Sequence, residues 1–143
     1  MEVDVLPKIV NFRLYKKSTI TISTFLAGPL VGGYFIAENF KHFGEENNAN
    51  KTWICTALAV AFIIGTLFIP GIENIPSIIF PIIYSGIATY LTQKYQENKI
   101  NDHEKNGGLF FPFWRVAIAS LTSITILFIM IFAALFMTNQ ISF

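Results

Sequence analysis

Residues 124–136 read ITILFIMIFAALF, and residues 57–69 read ALAVAFIIGTLFI. Both stretches are apolar on every face of a helix, and neither contains a charged side chain. A soluble domain usually carries about 25% charged residues. This 143-residue chain carries 13%, with 53% hydrophobic residues, so it has too few polar side chains to cover a soluble surface. The sequence therefore predicts that these stretches lie in a lipid bilayer.

The charged residues divide the rest of the chain in the same way. Four runs contain no Asp, Glu, Lys or Arg, and they are 20, 21, 20 and 28 residues long: 18–37, 52–72, 74–93 and 116–143. The hydrocarbon core of a bilayer is about 30 Å thick, and about 20 apolar helical residues span it. The backbone in lipid must satisfy its own hydrogen bonds. A β-barrel would need short alternating segments, which these runs do not show, so we expect helices.

We expect an all-α fold, an integral membrane four-helix bundle with short loops. Residues 1–17 are predicted to form a juxtamembrane N-terminal tail, and residues 18–143 a single membrane domain. The predicted spans are about 19–40, 52–71, 75–93 and 114–138. The short turn between the second and third spans predicts that these two helices form an antiparallel hairpin. The alternative is a soluble bundle with fully buried helices.

With four spans, the N-terminal tail lies on one side of the membrane and the two polar loops lie on the other. The tail carries four Lys or Arg residues and the loops carry six. The total count favours cytoplasmic loops, whereas the residues flanking the first span favour a cytoplasmic N-terminus. The two tests disagree, with a slight preference for the N-terminus inside.

Residues 25–34, FLAGPLVGGY, form the most distinctive motif. Gly28 and Gly32 are four residues apart, and Gly33 and Ala37 repeat this interval, so small residues share a helix face. Such faces allow close helix packing in lipid. Pro29 lacks an N–H group and predicts a kink or local unwinding. We interpret the motif as a helix-packing seam; the alternative is a broken helix that forms a binding site, as in some transporters.

Residues 24–44 read TFLAGPLVGGYFIAENFKHFG and follow Leu14-Tyr15. This stretch resembles a group of small, uncharacterised bacterial four-helix integral membrane proteins with an FLGGPLAG-like motif in the first transmembrane helix. Ala27 stands where the group often has Gly, and Lys16 where it often has Ser. The resemblance implies a membrane location and a bacterial source, and it implies no functional residue.

Four polar residues form a candidate polar site. Glu38 follows the first charge-free run directly, and carboxylates in membranes often couple to protons or cations. The alternative is a side chain that reaches the membrane interface. Tyr84, Ser85 and Thr89 make the third span the most polar one. They predict hydrogen bonds between helices, and the sharper alternative is a path for a solute.

Trp53, Trp114 and Arg115 are the expected interface anchors, because tryptophan favours the boundary between lipid and water. His42 and His103 lie in loops predicted to share a side. Their neighbourhood has no recognised ligand spacing, so we expect no metal site and no cofactor.

No predicted span contains a His, Asp or Lys that could act as a base, so we expect no catalytic residue and no enzyme activity. The net charge of +1 gives no basis for nucleic-acid binding. The predicted function is that of a non-enzymatic accessory or interaction protein in the bacterial cytoplasmic (inner) membrane. Its predicted partners are the lipid bilayer and either a homo-oligomer or a larger membrane complex. The alternative is a small-solute or ion transporter, or a channel-like protein, that acts as an oligomer.

Overall fold

The computed structural model describes residues 11–138. The expected all-α class is confirmed, because helices account for most of this region. The α-helices are α1 Lys17–Ala27, α2 Pro29–His42, α3 Glu46–Thr66, α4 Ile79–Tyr95, α5 Glu97–Lys105 and α6 Phe113–Met137. Two short strands, β1 Arg13–Leu14 and β2 Leu109–Phe110, pair in parallel, and a 3-10 turn spans Ile72–Asn74.

The first predicted span is broken at Gly28-Pro29. Gly28 has a φ of +90° and a ψ of 178°, a conformation that is open essentially to glycine alone. Its N–H group donates to the carbonyl of Thr24 at 2.9 Å and closes α1. Pro29 is the first residue of α2, where a missing N–H group leaves no helical hydrogen bond unmade. The expected disruption at Pro29 is therefore a complete helix break.

The chain reverses direction at this break, so α1 and α2 form a helical hairpin. Tyr15 and Asn39 are 24 residues apart, yet the Tyr15 N–H group donates to Asn39 Oδ1 at 2.8 Å. In a continuous helix they would lie about 36 Å apart, at about 1.5 Å per residue. Thr24 and Gly32, which are equidistant from Gly28 in sequence, face each other across the hairpin. The expectation of a single span over 19–40, kinked or locally unwound at Pro29, was therefore wrong.

The other long helices surround this hairpin. α3 packs mainly on α2, α4 packs mainly on α1, and α6 contacts both helices of the hairpin. Lys99, just after α4, pairs with Glu45, just before α3, so these two helices run antiparallel as predicted. The hairpin is therefore the centre of the molecule, and it supplies most of the buried apolar side chains.

The N-terminal segment lies at the same end of the molecule as the two polar loops. β1 pairs with β2, and the Lys16 and Lys17 ammonium groups pair with the Glu104 and Glu97 carboxylates. This overturns the expectation that the segment before the first helix and the loops lie on opposite sides. The reason is the reversal at Gly28, which returns α2 to the end where α1 began. Residues 1–10 of the predicted tail lie outside the described residues.

Two helices of the described region are long and apolar enough to cross a membrane. They are α3, in which a stretch of 18 residues has a mean hydropathy of 1.3, and α6, in which the corresponding stretch has a mean hydropathy of 2.5. The four expected spans are therefore reduced to two by this measure. The first span is split into helices of 11 and 14 residues, and α4 has 17 residues. The structure thus has two helices of sufficient length and composition, plus a shorter apolar helix and a hairpin.

The helix ends also differ from those expected. α3 begins at Glu46, so it includes polar residues that the sequence predicted as loop. The loop after the third predicted span contains α5, which packs one face inward through Ile100 and His103. Trp53 therefore lies two turns inside α3 and not at its start, whereas Trp114 is the second residue of α6, as expected.

Candidate binding groove and its buried polar support

The tip of the hairpin is held by α6. A Cβ atom on Gly28 would lie 2.7 Å from Leu127 Cδ1, so α6 approaches the tip closely. The Ser123 hydroxyl donates to the carbonyl of Ala27 at 3.3 Å. Carbonyl groups in the last turn of a helix have no helical partner, so this bond satisfies one of them. Ser123 is correspondingly the buried side chain of α6.

The predicted packing residues all lie on buried parts of the hairpin. Gly32 faces the Thr24 side chain of α1, and Gly33 faces the Thr56 side chain of α3. A Cβ atom at either glycine would collide with its threonine. Ala37 is fully buried. Small residues therefore allow α2 to pack closely on two neighbours within one chain.

A buried amide network closes the open end of the hairpin. The Asn39 side chain accepts from the N–H group of Tyr15 and donates to its carbonyl at 2.9 Å. Asn39 Nδ2 also lies 3.2 Å from Gln96 Oε1, and Gln96 Nε2 donates to the carbonyl of Ile36 at 2.9 Å. Both amide side chains are 0% exposed. The network therefore joins the N-terminal segment, α2 and the end of α4 through bonds shielded from water.

Tyr15 is the centre of an aromatic cluster beside this network. Its ring stacks on Phe35, with centroids 3.9 Å apart, and lies 4.4 Å from the ring of Phe111. Burial raises the pKa of Tyr15 to about 12, and the nearby Arg115 partly opposes this effect. The Tyr15 hydroxyl is buried beside the Arg115 and Tyr34 side chains. Tyr15 thus contributes apolar packing through its ring and a polar contact through its backbone.

The two histidines meet a shared aromatic ring. Phe12 stacks on His42 at 5.5 Å and on His103 at 5.0 Å between centroids. His103 is buried, and its Nε2 atom lies 2.8 Å from the carbonyl of Leu109. Gly108 packs against the same imidazole ring. The histidines therefore hold the polar end together through packing, and the expectation of no metal site stays a prediction.

The structure places three residues of the predicted polar site on α4 and the fourth, Glu38, on α2. Glu38 pairs with Lys41, one helical turn away, at 3.1 Å. The Thr89 hydroxyl donates to the Ser85 carbonyl at 2.7 Å and lies 2.7 Å from the Thr21 hydroxyl of α1. Thr89 thus makes a hydrogen bond between helices, whereas Glu38 belongs to the polar end. Ser85 is buried and its hydroxyl donates to the Ile82 carbonyl of its own helix, and Tyr84 faces the groove described below.

The predicted interface anchors lie near the polar end. The Trp53 ring lies 6.4 Å from the ring of Tyr34, and more than a third of the side chain is exposed. Trp114 is more exposed, and the Arg115 guanidinium lies 4.4 Å from the Phe111 ring centroid. An aromatic ring with one wet edge suits the boundary between lipid and water.

A groove runs between α3 and α4 over the hairpin. It encloses about 400 Å³, which is within the size range of small-molecule sites. Hairpin residues including Thr24, Pro29 and Gly33 form its floor, and side chains of α3 and α4 form its walls. Since α3 rests on α2 and α4 rests on α1, the hairpin holds the two walls apart.

The sequence interpretation missed Asn39 and Gln96, which carry the buried network. Asn39 lies seven residues after Gly32, so the two share a helix face. That spacing, in a helix whose glycines already indicated a packed face, was the available signal. For Gln96 no comparable signal exists, because its partner Ile36 is 60 residues away.

Comparisons of the chain with protein-family models, with curated proteins and with solved structures give no match.

Proposed function

We propose that this chain is a multi-pass protein of the bacterial cytoplasmic membrane in which α3, α4 and α6 cross the bilayer. The hairpin of α1 and α2 enters the membrane and leaves it on the same side. Helices of 11 and 14 residues reach about 16 and 21 Å at about 1.5 Å per residue. Neither covers a core of about 30 Å, whereas α4, at about 26 Å, nearly does.

One observation carries the proposal: the described charges lie almost entirely at one end of the molecule. All nine Lys and Arg residues of the described region are there: Arg13, Lys16, Lys17, Lys41, Lys51, Lys94, Lys99, Lys105 and Arg115. The connection between α3 and α4, at the opposite end, carries Glu73 as its charge. Between the ends, α3, α4 and α6 expose apolar side chains. This pattern suits a bilayer core with water on both sides.

The same observation supports an orientation in the membrane. Cytoplasmic loops of membrane proteins carry an excess of Lys and Arg. For four spans, the total count of Lys and Arg and the charges flanking the first span favoured opposite orientations. With the hairpin, the N-terminal segment and the polar loops lie at one end, so both tests favour that end as cytoplasmic. We place the polar end, including Arg13 and α5, in the cytoplasm, and the connection 67–78 on the opposite side.

We propose a non-enzymatic accessory or interaction role for this assembly. The supporting feature is α6, which contacts the hairpin and leaves most of its 25 residues exposed. A helix that packs along one face and exposes most of its residues presents a long apolar surface to a second membrane helix. The partner is a further copy of this chain or another membrane protein.

A photo-crosslinking amino acid at Leu121, an exposed position of α6, tests the interaction role in native membranes. Ser123, buried against the hairpin, is the matched control position. We expect a discrete protein adduct from position 121 and none from position 123. Lipid adducts alone from position 121 and from further exposed α6 positions would contradict the role.

Transport is the second candidate, because a broken helix borders the groove. Discontinuous helices often form substrate sites in transporters. Pro29→Ala and Glu38→Gln test it in proteoliposomes that contain purified protein. Loss of solute flux in either variant supports transport, and a wild-type protein that moves no solute removes the support.

Cysteine mapping tests the topology. Cys55 is the single cysteine, so Cys55→Ser gives a clean background. Asn11→Cys, Asn106→Cys and Glu73→Cys then report the N-terminal segment, the second polar loop and the opposite connection. In sealed vesicles, a membrane-impermeant maleimide is expected to label positions 11 and 106 from one side and position 73 from the other. Labelling of positions 11 and 73 from the same side would contradict the hairpin and support a first helix that crosses the membrane.

A further inference from the structure

We propose that the groove between α3 and α4 binds an anionic phospholipid, with one acyl chain along the groove and the phosphate at Lys51. The groove extends along α3 from Asn48 to Ala59 and along α4 from Tyr84 to Tyr95. Each interval is eleven residues, or about 16 Å at about 1.5 Å per residue. Its shape is therefore long and narrow and runs parallel to the helices.

The interior of the groove favours an apolar occupant. Side chains including Ile36, Phe40, Ile87 and Leu91 line it. The threonine hydroxyls that face it already donate to carbonyl groups of their own helices, as Thr24 does to Ile20 at 2.6 Å. Thr52 and Thr56 make equivalent bonds at 2.8 and 2.7 Å. A polar solute would lose its water there and gain few hydrogen bonds, whereas an acyl chain loses nothing.

One end of the groove is positively charged. Lys51 and Asn48 line it at the polar end of the molecule, beside Tyr95. Lys16, Lys17, Lys41 and Lys99 each pair with a carboxylate. Lys51 is exposed and, within residues 11–138, has no carboxylate within salt-bridge distance. It is therefore free to bind an anion at the level where lipid phosphates lie.

The two features together select the ligand class. An apolar channel ending in an unpaired ammonium group at the membrane surface matches a molecule with an acyl chain and an anionic headgroup. The hairpin is essential, because it keeps α3 and α4 apart and forms the groove floor. The inference rests on the membrane placement proposed above, which the cysteine map tests separately.

Native mass spectrometry of the full chain in detergent tests the site, with phosphatidylglycerol and phosphatidylcholine of identical acyl chains as probes. We expect one phosphatidylglycerol bound at least fivefold more tightly than phosphatidylcholine. Lys51→Gln is expected to abolish that preference. Lys105→Gln, which removes a cation from the same end but outside the groove, is expected to retain it.

Ala59→Phe fills the apolar end and is expected to weaken binding of both lipids at least fivefold. Circular dichroism and the thermal midpoint show whether the Ala59→Phe variant folds. If that variant does not fold, Lys51→Gln still tests the site, because it changes an exposed side chain. Equal binding of both lipids with no effect of Lys51→Gln would overturn the assignment. So would equal losses in Lys51→Gln and Lys105→Gln, which indicate general attraction to anionic lipid. If the lipid assay shows no such preference while cysteine labelling agrees with the proposed topology, lipid binding in the groove is contradicted and the membrane placement is not.

Discussion

Tyr15 and Asn39 exchange two hydrogen bonds across 24 residues of sequence, because the Asn39 side chain binds both the N–H group and the carbonyl of Tyr15. An amide side chain offers a donor and an acceptor side by side, so it pairs with a backbone as a neighbouring strand would. This pair fastens the segment before α1 to the end of α2. The pair can form only because the chain reverses direction at Gly28.

Replacing Asn39 with Ala is expected to destabilise the protein strongly. It removes the Asn39 partner of the Tyr15 N–H group, of the Tyr15 carbonyl and of Gln96 Oε1, whereas Gln96 Nε2 keeps its bond to Ile36. Each buried group left unsatisfied costs about 1–3 kcal/mol. Thermal unfolding in detergent measures the loss. Asn98→Ala changes the same residue type at an exposed site of α5 and is expected to leave the midpoint unchanged. Equal midpoints for the two variants would show that the network contributes nothing.

Gly33→Ala is expected to destabilise by about 1–3 kcal/mol, because the added methyl group meets the Thr56 side chain and forces α3 away. Combining it with Thr56→Ala is expected to restore part of the loss, since the Thr56 Oγ1 and Cγ2 atoms are removed while its Cβ atom, 2.8 Å from the new methyl group, remains. Gly86→Ala is the control, because no atom outside the adjacent residues and the local helix backbone lies within 4 Å of the new Cβ. It is expected to stabilise α4 by about 0.5–1 kcal/mol. A double variant no better than Gly33→Ala would argue against the contact.

Gly28→Ala is expected to cost about 1–3 kcal/mol through backbone strain, since its φ of +90° with ψ near 180° is open essentially to glycine alone. A second change, Leu127→Ala, removes the side chain nearest the new Cβ. If strain dominates, the double variant stays at least as unstable as Gly28→Ala in thermal unfolding. Full recovery would instead assign the cost to the contact with α6.

Above pH 10 the free energy of unfolding is expected to fall as pH rises, because the Tyr15 hydroxyl loses its proton more readily in the unfolded chain. The folded pKa is about 12 and the ordinary pKa of tyrosine is 10.0, so between these values the unfolded chain releases a proton that the folded chain retains. Below pH 10 both states keep the proton and the contribution is constant. Absorbance of tyrosinate near 295 nm, compared between wild type and Tyr15→Phe, isolates the group. A difference curve with its midpoint near pH 10 would contradict the burial effect.

The candidate site was predictable only in part. Gly28, Gly32 and Gly33 were accessible from sequence because small residues at a helical interval indicate close packing whatever the partner. Glu38 attracted attention as a carboxylate beside an apolar run, but it pairs with Lys41 at the polar end. The neighbouring Asn39 is the buried residue, and its role depends on Tyr15 and Gln96, which no local pattern links to it.

The sequence by itself determined that the chain is helical and that its charges are confined to short segments. Both follow from the order of apolar and charged residues along the chain. It also located the break, since a proline after a glycine interrupts a helix wherever it lies. Only the tertiary structure decided that the chain turns back there, so that the predicted first span became a hairpin and the charged segments came to one end. The physical reason is that a glycine permits many directions, and contacts between residues far apart in sequence select one of them.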